Sequence, residues 1–512
     1  MAVSITIYDG CQSIGGNKIY LEFDGHGIFF DFGINYKKLG GFCEEFLTPR
    51  AGRGIHDYLH IGQLPRLNIY RDDLIPRDID LSGYQNLKVD AVFLSHAHLD
   101  HVGRAPMLDF RIPFVASPLT FTILKCLRDC DSHRIEHEIV YSNLRAPGKD
   151  DRYLIVEKKN LFWRRKFVVA GPLTNKFEDF MNFCPWRKKF YGGEFLMQND
   201  FDIEFKQFDT DHSIYGSSAF GVNTSCGWII YTGDLRMHGR FANKTRAFIN
   251  GAKALCPRAL IIEGTRIDAS QEGITEKAVY EKCMAAASYE RGLIVADFSP
   301  RNFERLDTFK KIAKELGREP VVLMKDAYCL DAISCVDGKD RMRNVRVYRD
   351  IKEKMDGYEI EVKGKHEEAF VDPTDIAKDP GEFIVCFSFW DMNRLLDIKP
   401  EGGTYIYSSS EAYTEEQAID FLRLRNWLSL FKMKIKGFEI VEDSEGPRPK
   451  FDLGYHVSGH ASGEDIVKII DMIDPEVVIP VHTEKPEKFS ELIDRKVLIP
   501  VEGASLELSN MA

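Results

Sequence analysis

The chain has 512 residues, of which 44% are hydrophobic and 29% charged, and its net charge at pH 7 is −11. That length predicts roughly two to four compact units with apolar cores, and the composition excludes a disordered or fibrous chain. The acidic balance argues against a passive, sequence-independent coat on nucleic acid, because attraction to phosphates usually needs a basic face.

The N-terminus and the cysteines indicate where the protein resides. MAVSITIYDG has no basic segment leading into an apolar run, so neither a secretory signal nor a transit peptide is predicted. The longest apolar stretches, such as GEFIVCFSF, are far shorter than the roughly 20 residues that cross a bilayer. Eleven cysteines without a CxxC pair are typical of reduced thiols. We expect a soluble, cytoplasmic protein that does not enter a membrane.

The first half of the chain begins with strands and then alternates strand and helix. Short apolar runs bounded by Gly and Asp predict the strands SITIYDG, KIYLEFDG and GIFFDFG. KVDAVFLSH is a continuous apolar strand, and LTFTILKCLRD has helical periodicity after the cap-like Ser117. The irregular stretch from about His133 to Gly193 is predicted to be an insertion. Strands then resume in FDIEFKQF, SAFGVN, GWIIYTGD and RALIIEG.

A second regular series follows Glu263. The predicted helices TEKAVYEKCMAAASYE and FERLDTFKKIAKEL alternate with the strands LIVADF, PVVLMKD, EFIVCFSF and TYIYSSS. This alternation predicts an independent, mostly parallel α/β domain. After the helix EEQAIDFLRLRNWLSLF, the remaining segments resemble the first half of the chain and are predicted to belong with it. They are KIKGFEIVE, FDLGYHVSG, a helix in SGEDIVKIIDMI, and the strands EVVIPVH and VLIPVEG.

The segment SHAHLDH carries the strongest functional signal. Directly after the strand VFLS come His96, His98, Asp100 and His101. A lone His is often a satisfied polar residue, but three imidazoles and a carboxylate that a tight turn can bring together are typical of a metal site.

Two later segments also place a possible ligand at a strand terminus. These are His212 in TDHSIYGS and Asp234 in IIYTGDLR. Each alone has an equally good structural explanation, since Asp234 could cap the turn formed with Gly233. Together with SHAHLDH, they predict a site for two zinc ions.

Taken in order, these motifs resemble those of the metallo-β-lactamase superfamily. HAHLDH, the later His212 and TGD match its ordered motifs, and Asp31 in FFDFG matches its early Asp. Glu263 in LIIEGTR, His460 in HVSGHAS and His482 in VIPVHTE narrow the resemblance. With them, the chain looks like the β-CASP branch of nucleic-acid-processing enzymes, and within it the ribonuclease J-like proteins.

The resemblance covers nearly the whole chain and implies its fold and domains. The expected fold class is α/β, a metallo-β-lactamase αββα sandwich with an inserted β-CASP α/β domain. Residues 1–266 would form the first part of the metallo-β-lactamase domain, including the insertion at about 133–193. Residues 267–438 would form the β-CASP domain, and 439–512 the closing part of the first domain.

The resemblance also implies a dinuclear site. One zinc ion would bind His96, His98 and His212, the other Asp100, His101 and His482, with Asp234 bridging them. Manganese is the alternative metal. Two such ions can hold a bridging hydroxide at neutral pH as the nucleophile and stabilise charge on a scissile phosphate.

The expected catalytic residues are Asp100, Asp234, Glu263 and His460. His460 would be the general acid that protonates the leaving oxygen, and Glu263 would orient its other ring nitrogen. On its own, His460 could equally be a His that stabilises the turn beside Gly459.

Contacts to a substrate phosphate are expected around the SGHAS turn. Ser458, Gly459, His460 and Ala461 precede a predicted helix. Backbone N–H groups at such a start can receive a phosphate, although the same run is equally a turn and N-cap. Arg301 in DFSPRNFER and Ser409 in YIYSSSEAY are further candidates, each with an ordinary solvent or capping explanation.

The chain departs from the family pattern in two places. Ribonuclease J-like proteins usually carry a glycine-rich, TGSQGEP-like segment that is linked to holding a substrate 5′ end, where this chain has FSFWDMNRL. The stretch 133–193 is also longer than the family leads us to expect. Exonuclease and endonuclease action, and assembly into a homo-oligomer, therefore stay open.

The insertion contains a basic and aromatic stretch. Its basic residues are Lys158, Lys159, Arg164, Arg165, Lys166, Arg187, Lys188 and Lys189, and its aromatic residues are Phe162, Trp163, Phe183, Trp186 and Phe190. Such mixing can bind a nucleic-acid strand by charge and base stacking. A solvated surface whose aromatic side chains face the core is the other interpretation.

These expectations lead to one functional hypothesis with two alternatives. The hypothesis is a zinc-dependent, ribonuclease J-like phosphodiester hydrolase that cleaves RNA, with single strands as the preferred substrate. The first alternative is a nuclease for DNA, or a hydrolase for a small phosphodiester or ester, using the same dinuclear site. The second is a non-catalytic scaffold, a class whose members typically lose metal ligands.

Overall fold

The structure is a computed structural model that describes residues 3–44, 46–131, 133–269, 274–410, 415–443 and 446–508. The chain divides into two units. The first comprises residues 1–237, 241–271 and 460–512, and the second comprises 238–240 and 272–459. No helix in the described ranges combines the length and the apolar character that a bilayer crossing requires.

The strands are numbered in chain order. They are β1 (Ser4–Asp9), β2 (Lys18–Phe23), β3 (His26–Phe30), β4 (Ala91–Phe93), β5 (Phe114–Ala116), β6 (Arg145–Pro147), β7 (Leu154–Val156), β8 (Leu161–Arg164), β9 (Phe167–Val169), β10 (Lys189–Gly192), β11 (Phe195–Met197), β12 (Phe205–Asp209), β13 (Ser218–Thr224), β14 (Gly227–Tyr231), β15 (Ala259–Glu263), β16 (Ile294–Asp297), β17 (Glu319–Val322), β18 (Arg346–Tyr348), β19 (Phe370–Val371), β20 (Phe383–Cys386), β21 (Thr404–Tyr407), β22 (Lys434–Lys436), β23 (Phe438–Asp443), β24 (Gly446–Phe451), β25 (Val477–Val481), β26 (Lys496–Val497) and β27 (Ser505–Glu507).

The α-helices are numbered in the same way. They are α1 (Tyr36–Gly40), α2 (His56–His60), α3 (Leu99–Val102), α4 (Pro118–Cys130), α5 (Asn175–Asn182), α6 (Ala242–Lys253), α7 (Glu276–Ala287), α8 (Phe303–Glu315), α9 (Met324–Asp337), α10 (Gly357–His366), α11 (Pro373–Lys378), α12 (Leu395–Ile398), α13 (Glu415–Leu430), α14 (Gly463–Ile473) and α15 (Glu487–Leu492).

Two sheets form the centre of the first unit. The first sheet has eight strands in the order β11-β9-β5-β4-β3-β2-β1-β27, and the second has six in the order β12-β13-β14-β15-β25-β26. Their inner faces pack together, for example where Phe93 of the first sheet lies with its ring centroid 5.1 Å from Phe205 and 5.3 Å from Phe220 of the second. Alternating apolar residues along each strand put one face of each sheet into this core.

Helices cover the outer faces of both sheets. In α14, Ile466, Ile469, Ile470 and Ile473 recur at helical spacing and are buried against the second sheet together with residues of α6. Ser462 begins this helix, since its side chain accepts a hydrogen bond from the Asp465 N–H at 3.2 Å. On the first sheet, Phe121 of α4 packs against Phe167 with ring centroids 5.1 Å apart. The predicted αββα sandwich is therefore confirmed.

The strand directions bring several chain segments to one rim of the sandwich. β3 and β4 run parallel in the first sheet, and β14, β15 and β25 run parallel in the second. β12 also runs in the direction of β14, because each pairs antiparallel with β13. Parallel strands end at the same edge of a sheet, so the residues after these strands meet there.

The second unit is an α/β domain with a parallel sheet. Its seven strands have the order β19-β18-β17-β20-β16-β21-β22, and every pairing in this sheet is parallel. An antiparallel hairpin of β23 and β24 adjoins it. This agrees with the predicted α/β series, in which strands alternate with helices.

Three local predictions in these regions are wrong. The strand PVVLMKD ends at Val322 and helix α9 begins at Met324, while only Val497 of VLIPVEG lies in a strand, β26. KIKGFEIVE does not return to the first unit. It forms β22 and part of β23, because its Phe438 packs on Phe421 of α13, with ring centroids 4.9 Å apart. The second unit accordingly extends to 459, whereas the predicted boundary lies at 438.

Candidate metal centre

Ligand-type side chains from four segments of the first unit meet at the rim of the sandwich. Their nitrogen and oxygen atoms form two groups, and within each group these atoms lie within 4.8 Å of one another. The first group is His96, His98 and His212, and the second is Asp100, His101, Asp234 and His482. All seven sequence-predicted ligand positions are thus brought together.

The first group consists of three imidazoles. His98 Nδ1 lies 3.1 Å from His96 Nε2 and 3.2 Å from His212 Nε2. Neutral ring nitrogens that carry lone pairs repel one another at such distances unless a proton or a cation lies between them. The arrangement is therefore suited to a cation with nitrogen ligands.

The second group combines carboxylates with imidazoles. Asp100 Oδ2 lies 3.4 Å from His482 Nε2 and 3.6 Å from His101 Nε2. Asp234 Oδ2 lies 3.1 Å from His101 Nε2, and it is also 3.7 Å from Nε2 of both His96 and His212. The Asp234 carboxylate therefore stands between the two groups.

Two buried atoms of the second group fit a bound cation. Among the described residues, neither His101 Nε2 nor Asp234 Oδ1 has a hydrogen-bond partner, although both are buried. A buried polar atom without a partner costs about 1–3 kcal/mol, which coordination to a metal would remove. The nitrogen and carboxylate donors match the ligands that zinc takes in hydrolytic sites.

The electrostatics of this cluster also favour a cation. Burial lowers the pKa of His101, but Asp234, Asp100 and Asp31 outweigh it and raise that pKa well above the usual value. Burial raises the pKa of Asp234, but His101, His482 and His460 hold it well below its usual range. The carboxylates thus stay ionised and require positive charge beside them, which protonated imidazoles or metal ions can supply.

Asp31 fixes the orientation of His101. Its Oδ2 accepts hydrogen bonds from His101 Nδ1 at 2.7 Å, from the Ser95 hydroxyl at 2.7 Å and from the Tyr231 hydroxyl at 2.6 Å. Since Nδ1–H of His101 is held by Asp31, its Nε2 lone pair turns toward Asp234 and Asp100. Asp31 itself adopts a left-handed backbone, with φ 56°.

Thr265 fixes the orientation of His482 in the same way. Its hydroxyl donates to Glu263 Oε2 at 2.7 Å, and it therefore accepts from His482 Nδ1 at 2.8 Å. This fixes the proton on Nδ1 and leaves Nε2 of His482 facing Asp100. His482 also has a left-handed backbone, with φ 52°.

Replacing Thr265 by Val is expected to weaken the second group selectively. His482 Nδ1–H would lose its acceptor, and the loss of such a partner typically costs about 10–100-fold in metal affinity. Zinc titration against a chromophoric chelator should show one weakened site in Thr265→Val and two intact sites in Thr265→Ser, which keeps the hydroxyl. Equal zinc affinities in the Val variant and the unmodified chain would contradict this role.

Close backbone packing shapes the HLDH turn. A Cβ atom at Gly33 would lie 1.6 Å from the Asp100 carbonyl oxygen and 2.7 Å from the His101 nitrogen. A Cβ at Gly15, whose φ is +78°, would lie 2.8 Å from the Asp100 Cβ. Glycine at these positions lets the HLDH turn pack closely against other segments of the same chain. This close packing sets how deeply Asp100 and His101 are buried.

Glu263 and His460 form a pair beside Asp234. His460 Nδ1 lies 2.8 Å from Glu263 Oε2, and Glu263 Oε1 accepts the Leu235 N–H at 2.8 Å. Burial lowers the pKa of His460, but the Glu263 carboxylate, with Asp234, raises it to about 9. His460 Nδ1 is 3.9 Å from Asp234 Oδ2, and its side chain is 21% exposed. An imidazolium can thus face solvent at the edge of the ligand cluster.

The residues that were predicted to contact a phosphate do not all lie in the same unit, and some are occupied by contacts within the fold. The Ala461 N–H donates to the Leu235 carbonyl at 2.8 Å, so it is not available to receive a phosphate. In the second unit, the Ser458 carbonyl accepts from His238 Nε2 at 2.9 Å, and Gly459 is buried. Arg301 and Ser409 are partly exposed residues of the second unit, before α8 and after β21.

FSFWDMNRL forms a short helical turn after β20 in the second unit. Asp391 caps the turn, since its Oδ2 accepts from the Ser388 N–H at 3.0 Å and the Ser388 hydroxyl at 2.6 Å. This cap is a carboxylate that is only 4% exposed. The segment therefore presents a capped helical turn in place of the glycine-rich backbone that the resemblance led us to expect.

Sequence reasoning missed the residues that orient the ligands. Tyr231, Ser95 and Thr265 each lie within three residues of a predicted ligand or of Glu263. The available sign of this role in the sequence was that each has a hydroxyl group at a strand end beside a motif. Which carboxylate or imidazole each one reaches depends on segments distant in the chain.

Two family models match the chain. One, described as the metallo-β-lactamase superfamily, matches residues 65–117, which include SHAHLDH. The other, described as a Zn-dependent metallo-hydrolase RNA specificity domain, matches residues 454–501, which include His460 and His482.

Similar proteins cover nearly the whole chain. It is 23% identical to a ribonuclease J of Pyrococcus abyssi, over 99% of this chain and 97% of that protein. It is also 23% identical to a ribonuclease J of Methanocaldococcus jannaschii, over 94% of this chain and 91% of that protein. A ribonuclease J of Helicobacter pylori is 21% identical over 94% of this chain, which matches 56% of that longer protein.

A solved structure has the same fold. A protein of unknown function from Enterococcus faecalis aligns with a TM-score of 0.69 and 22% identity, covering 99% of this chain and all of that one. At this identity the likeness concerns the fold alone.

Proposed function

Since this chain belongs to the metallo-β-lactamase superfamily, in its β-CASP, ribonuclease J-like branch, we propose that it is a zinc-dependent phosphodiesterase that cleaves RNA. One observation carries the proposal. The Asp234 carboxylate stands between two groups of metal-type ligands, and the His460–Glu263 pair lies directly beside it. A two-metal hydrolase of phosphate esters needs this combination of a bridging carboxylate and a nearby proton donor.

We assign one zinc ion to His96, His98 and His212 and the other to Asp100, His101 and His482, with Asp234 shared. Manganese is the alternative metal. When bound, two such ions supply a water that is activated at neutral pH and positive charge against the scissile phosphate. Asp31 and Thr265 support the assignment, because they turn Nε2 of His101 and His482 toward the carboxylates.

In this proposal His460 is the general acid. Glu263 accepts the Nδ1 proton, so the proton delivered to the leaving ribose oxygen comes from Nε2. The negative charge of Glu263 favours the imidazolium, which keeps the proton available at neutral pH. Glu263 thus orients and charges the ring, and it does not itself meet the substrate.

RNA is the proposed substrate on two grounds. The family model that includes His460 and His482 is described as an RNA specificity domain, and two relatives that align with 99% and 94% of this chain are named ribonuclease J. We propose single-stranded RNA as the preferred form, because a strand without a partner can enter the rim with its phosphates exposed. Whether the chain cuts from the 5′ end or internally is left to the experiment.

The test is cleavage of RNA labelled at either end. The zinc-loaded or manganese-loaded protein should cut RNA, and comparing 5′-monophosphate with 5′-triphosphate substrates separates the modes. Mononucleotides from the monophosphate form alone would indicate 5′-end dependence, and internal fragments from both would indicate an endonuclease.

Parallel substrates and metal analysis decide between the alternatives. Faster turnover of single-stranded DNA or of a chromogenic small diester would contradict the choice of RNA while keeping the dinuclear site. Gently purified protein without zinc or manganese, and without activity when either is added, would instead favour a non-catalytic scaffold.

A further inference from the structure

Positive charge is concentrated in the stretch that the sequence predicts to be an insertion, about 133–193, whose β9 is a strand of the first sheet. Residues 157–194 contain nine basic and four acidic residues, a net charge of +5 in a chain whose total is −11. Part of this segment forms a two-stranded ribbon, in which β8 and β10 run parallel and pair Leu161 with Lys189 and Trp163 with Tyr191. Because side chains alternate along a strand, the ribbon has two distinct faces.

The inner face of the ribbon is structural. Phe162 and Phe190 pack on Tyr141, with ring centroids 4.7 Å and 5.2 Å away. Arg164 donates to the Met181 carbonyl at 2.9 Å and to the Gly193 carbonyl at 3.0 Å. Burial lowers the pKa of this guanidinium to about 10, because carbonyl groups surround it in place of water.

Arg165 is also occupied within the fold. It donates to the carbonyls of Leu108, Asp109 and Ile112 at 2.9–3.0 Å and is only 3% exposed. The interpretation that the aromatic side chains of this stretch face the core is therefore correct for Phe162. Arg164 and Arg165 are buried, so they belong neither to a solvated surface nor to a binding surface.

The outer ribbon face consists of Leu161, Trp163, Lys189 and Tyr191. Trp163 and Tyr191 lie side by side with ring centroids 4.5 Å apart, and the Tyr191 side chain is 56% exposed. Lys189 stands two residues before Tyr191 on the same face and is exposed. The face thus presents an aromatic pair beside a lysine.

Further positive charge lies near this face. Lys158 and Arg187 are exposed and flank the two strands in sequence. Lys159 and Lys166, in contrast, pair with Glu157 at 2.6 Å and with Glu194 at 3.0 Å. Among the described residues of this segment, Lys158, Lys176, Arg187 and Lys189 are exposed and form no ion pair, and all but Lys176 lie in or next to the two ribbon strands.

We propose that the outer ribbon face binds single-stranded RNA, with a base stacked on Tyr191 and Trp163 and phosphates held by Lys189 and its basic neighbours. The inference rests on the proposed function, since it supplies that site's substrate with a second point of attachment. Exposed aromatic rings with adjacent lysines bind a strand through its bases and its phosphates together. The positive charge favours this polyanion over a protein partner of ordinary composition.

The direction of the strands sets where this face lies in the first unit. β8 and β10 lead into β9 and β11, and β9 runs parallel to β5 and β4. The ribbon therefore extends from the end of the first sheet opposite the end at which SHAHLDH lies. From the start of β8 to the end of β9 the chain spans nine residues, about 25 Å when extended, so only RNA that spans such a distance reaches both places.

Kinetics on the metal-loaded chain test the proposal. Tyr191→Ala and Lys189→Glu are expected to raise KM for a single-stranded RNA of about 30 nucleotides by about 10-fold each, without lowering kcat. RNA of about 4 nucleotides, and a small chromogenic diester, should be hydrolysed equally well by all forms. Higher salt should reduce the effect of Lys189→Glu, because the phosphate contact is screened.

Matched exposed positions of the second unit provide the controls. Tyr289 is 92% exposed and Lys277 is 84% exposed, so Tyr289→Ala and Lys277→Glu remove the same groups elsewhere. Unchanged KM for long RNA in both ribbon variants would overturn the proposal, as would equal losses in the two control variants. Retained RNA affinity together with loss of a co-purifying protein would indicate a protein partner instead.

A binding measurement separates this inference from the proposed function. Fluorescence anisotropy of labelled RNA reports attachment whether or not the RNA is cut. If the chain cleaves RNA and the ribbon variants bind it as well as the unmodified chain, the inference alone fails. If the chain binds RNA through Tyr191 but cleaves none, the proposed function alone fails.

Discussion

Asp234→Asn is expected to lower kcat/KM for RNA by about 10⁴-fold, through loss of the several kcal/mol that a two-metal site contributes. Asp234 is the group between the two ligand sets, and its Oδ2 lies within 3.7 Å of imidazole nitrogens from both. Asn has the same shape but one acceptor oxygen and no charge. Two cations that share this position would then repel each other with one negative charge fewer between them.

Metal content is the second readout for Asp234→Asn. We expect elemental analysis to find two zinc ions per chain in the unmodified protein and one or fewer in the variant. Asp209→Asn is the matched control, because Asp209 lies three residues before His212 but its side chain is 52% exposed and pairs with Lys244. If the Asp234→Asn variant kept both metals and full activity, Asp234 would not have the proposed role.

The ligand set could be predicted from the sequence because its members are carried by short motifs. His96, His98, Asp100 and His101 lie within six residues after one strand, and such local spacing survives without knowledge of the fold. The distant His212 and Asp234 were candidates because each follows a predicted strand. The resemblance, which fixes the order of motifs, added His482 and assigned each ligand to an ion. The αββα sandwich followed from the same source.

The orientation of the ligands could not be predicted in this way. Tyr231 reaches Asp31 across 200 residues of chain, and Thr265 reaches His482 across 217. These contacts depend on which strands neighbour each other in two different sheets. A hydroxyl near a motif gives no indication of its partner until the strand order is known.

Charge and aromatic content were also insufficient to separate structural from exposed residues. Arg164 and Lys189 occur in the same basic stretch, yet one binds buried carbonyls and the other is exposed. The parallel register of β8 and β10 decides between them, because it sets which side chains share a face. A similar limit applies to KIKGFEIVE, whose apolar pattern fits either unit and whose place is decided by packing on α13.

His460→Ala is expected to lower kcat for RNA by about 10²–10⁴-fold, the usual contribution of a general acid. A ribose alkoxide leaves slowly unless it is protonated, whereas a nitrophenolate leaves without a proton. Hydrolysis of a nitrophenyl diester by the same variant should therefore change little. Zinc content should stay at two per chain, since neither proposed ligand set includes His460.

Glu263→Gln extends this test through its pH dependence. The general acid works while His460 is protonated, so activity on RNA should fall as pH rises through the pKa of His460. Burial lowers that pKa, but the Glu263 carboxylate, with Asp234, raises it to about 9, and bound cations would lower it. Removing the carboxylate lowers the pKa further, which should move the descending limb of the profile to lower pH.

The three pH profiles together distinguish proton donation from a structural role. We expect a descending limb in the unmodified chain, the same limb at lower pH in Glu263→Gln, and no such limb in His460→Ala. A merely structural His460 would reduce activity on RNA and on the nitrophenyl diester alike, with the pH profile unchanged. Equal losses of activity on the two substrates would therefore indicate that another group near Asp234 donates the proton.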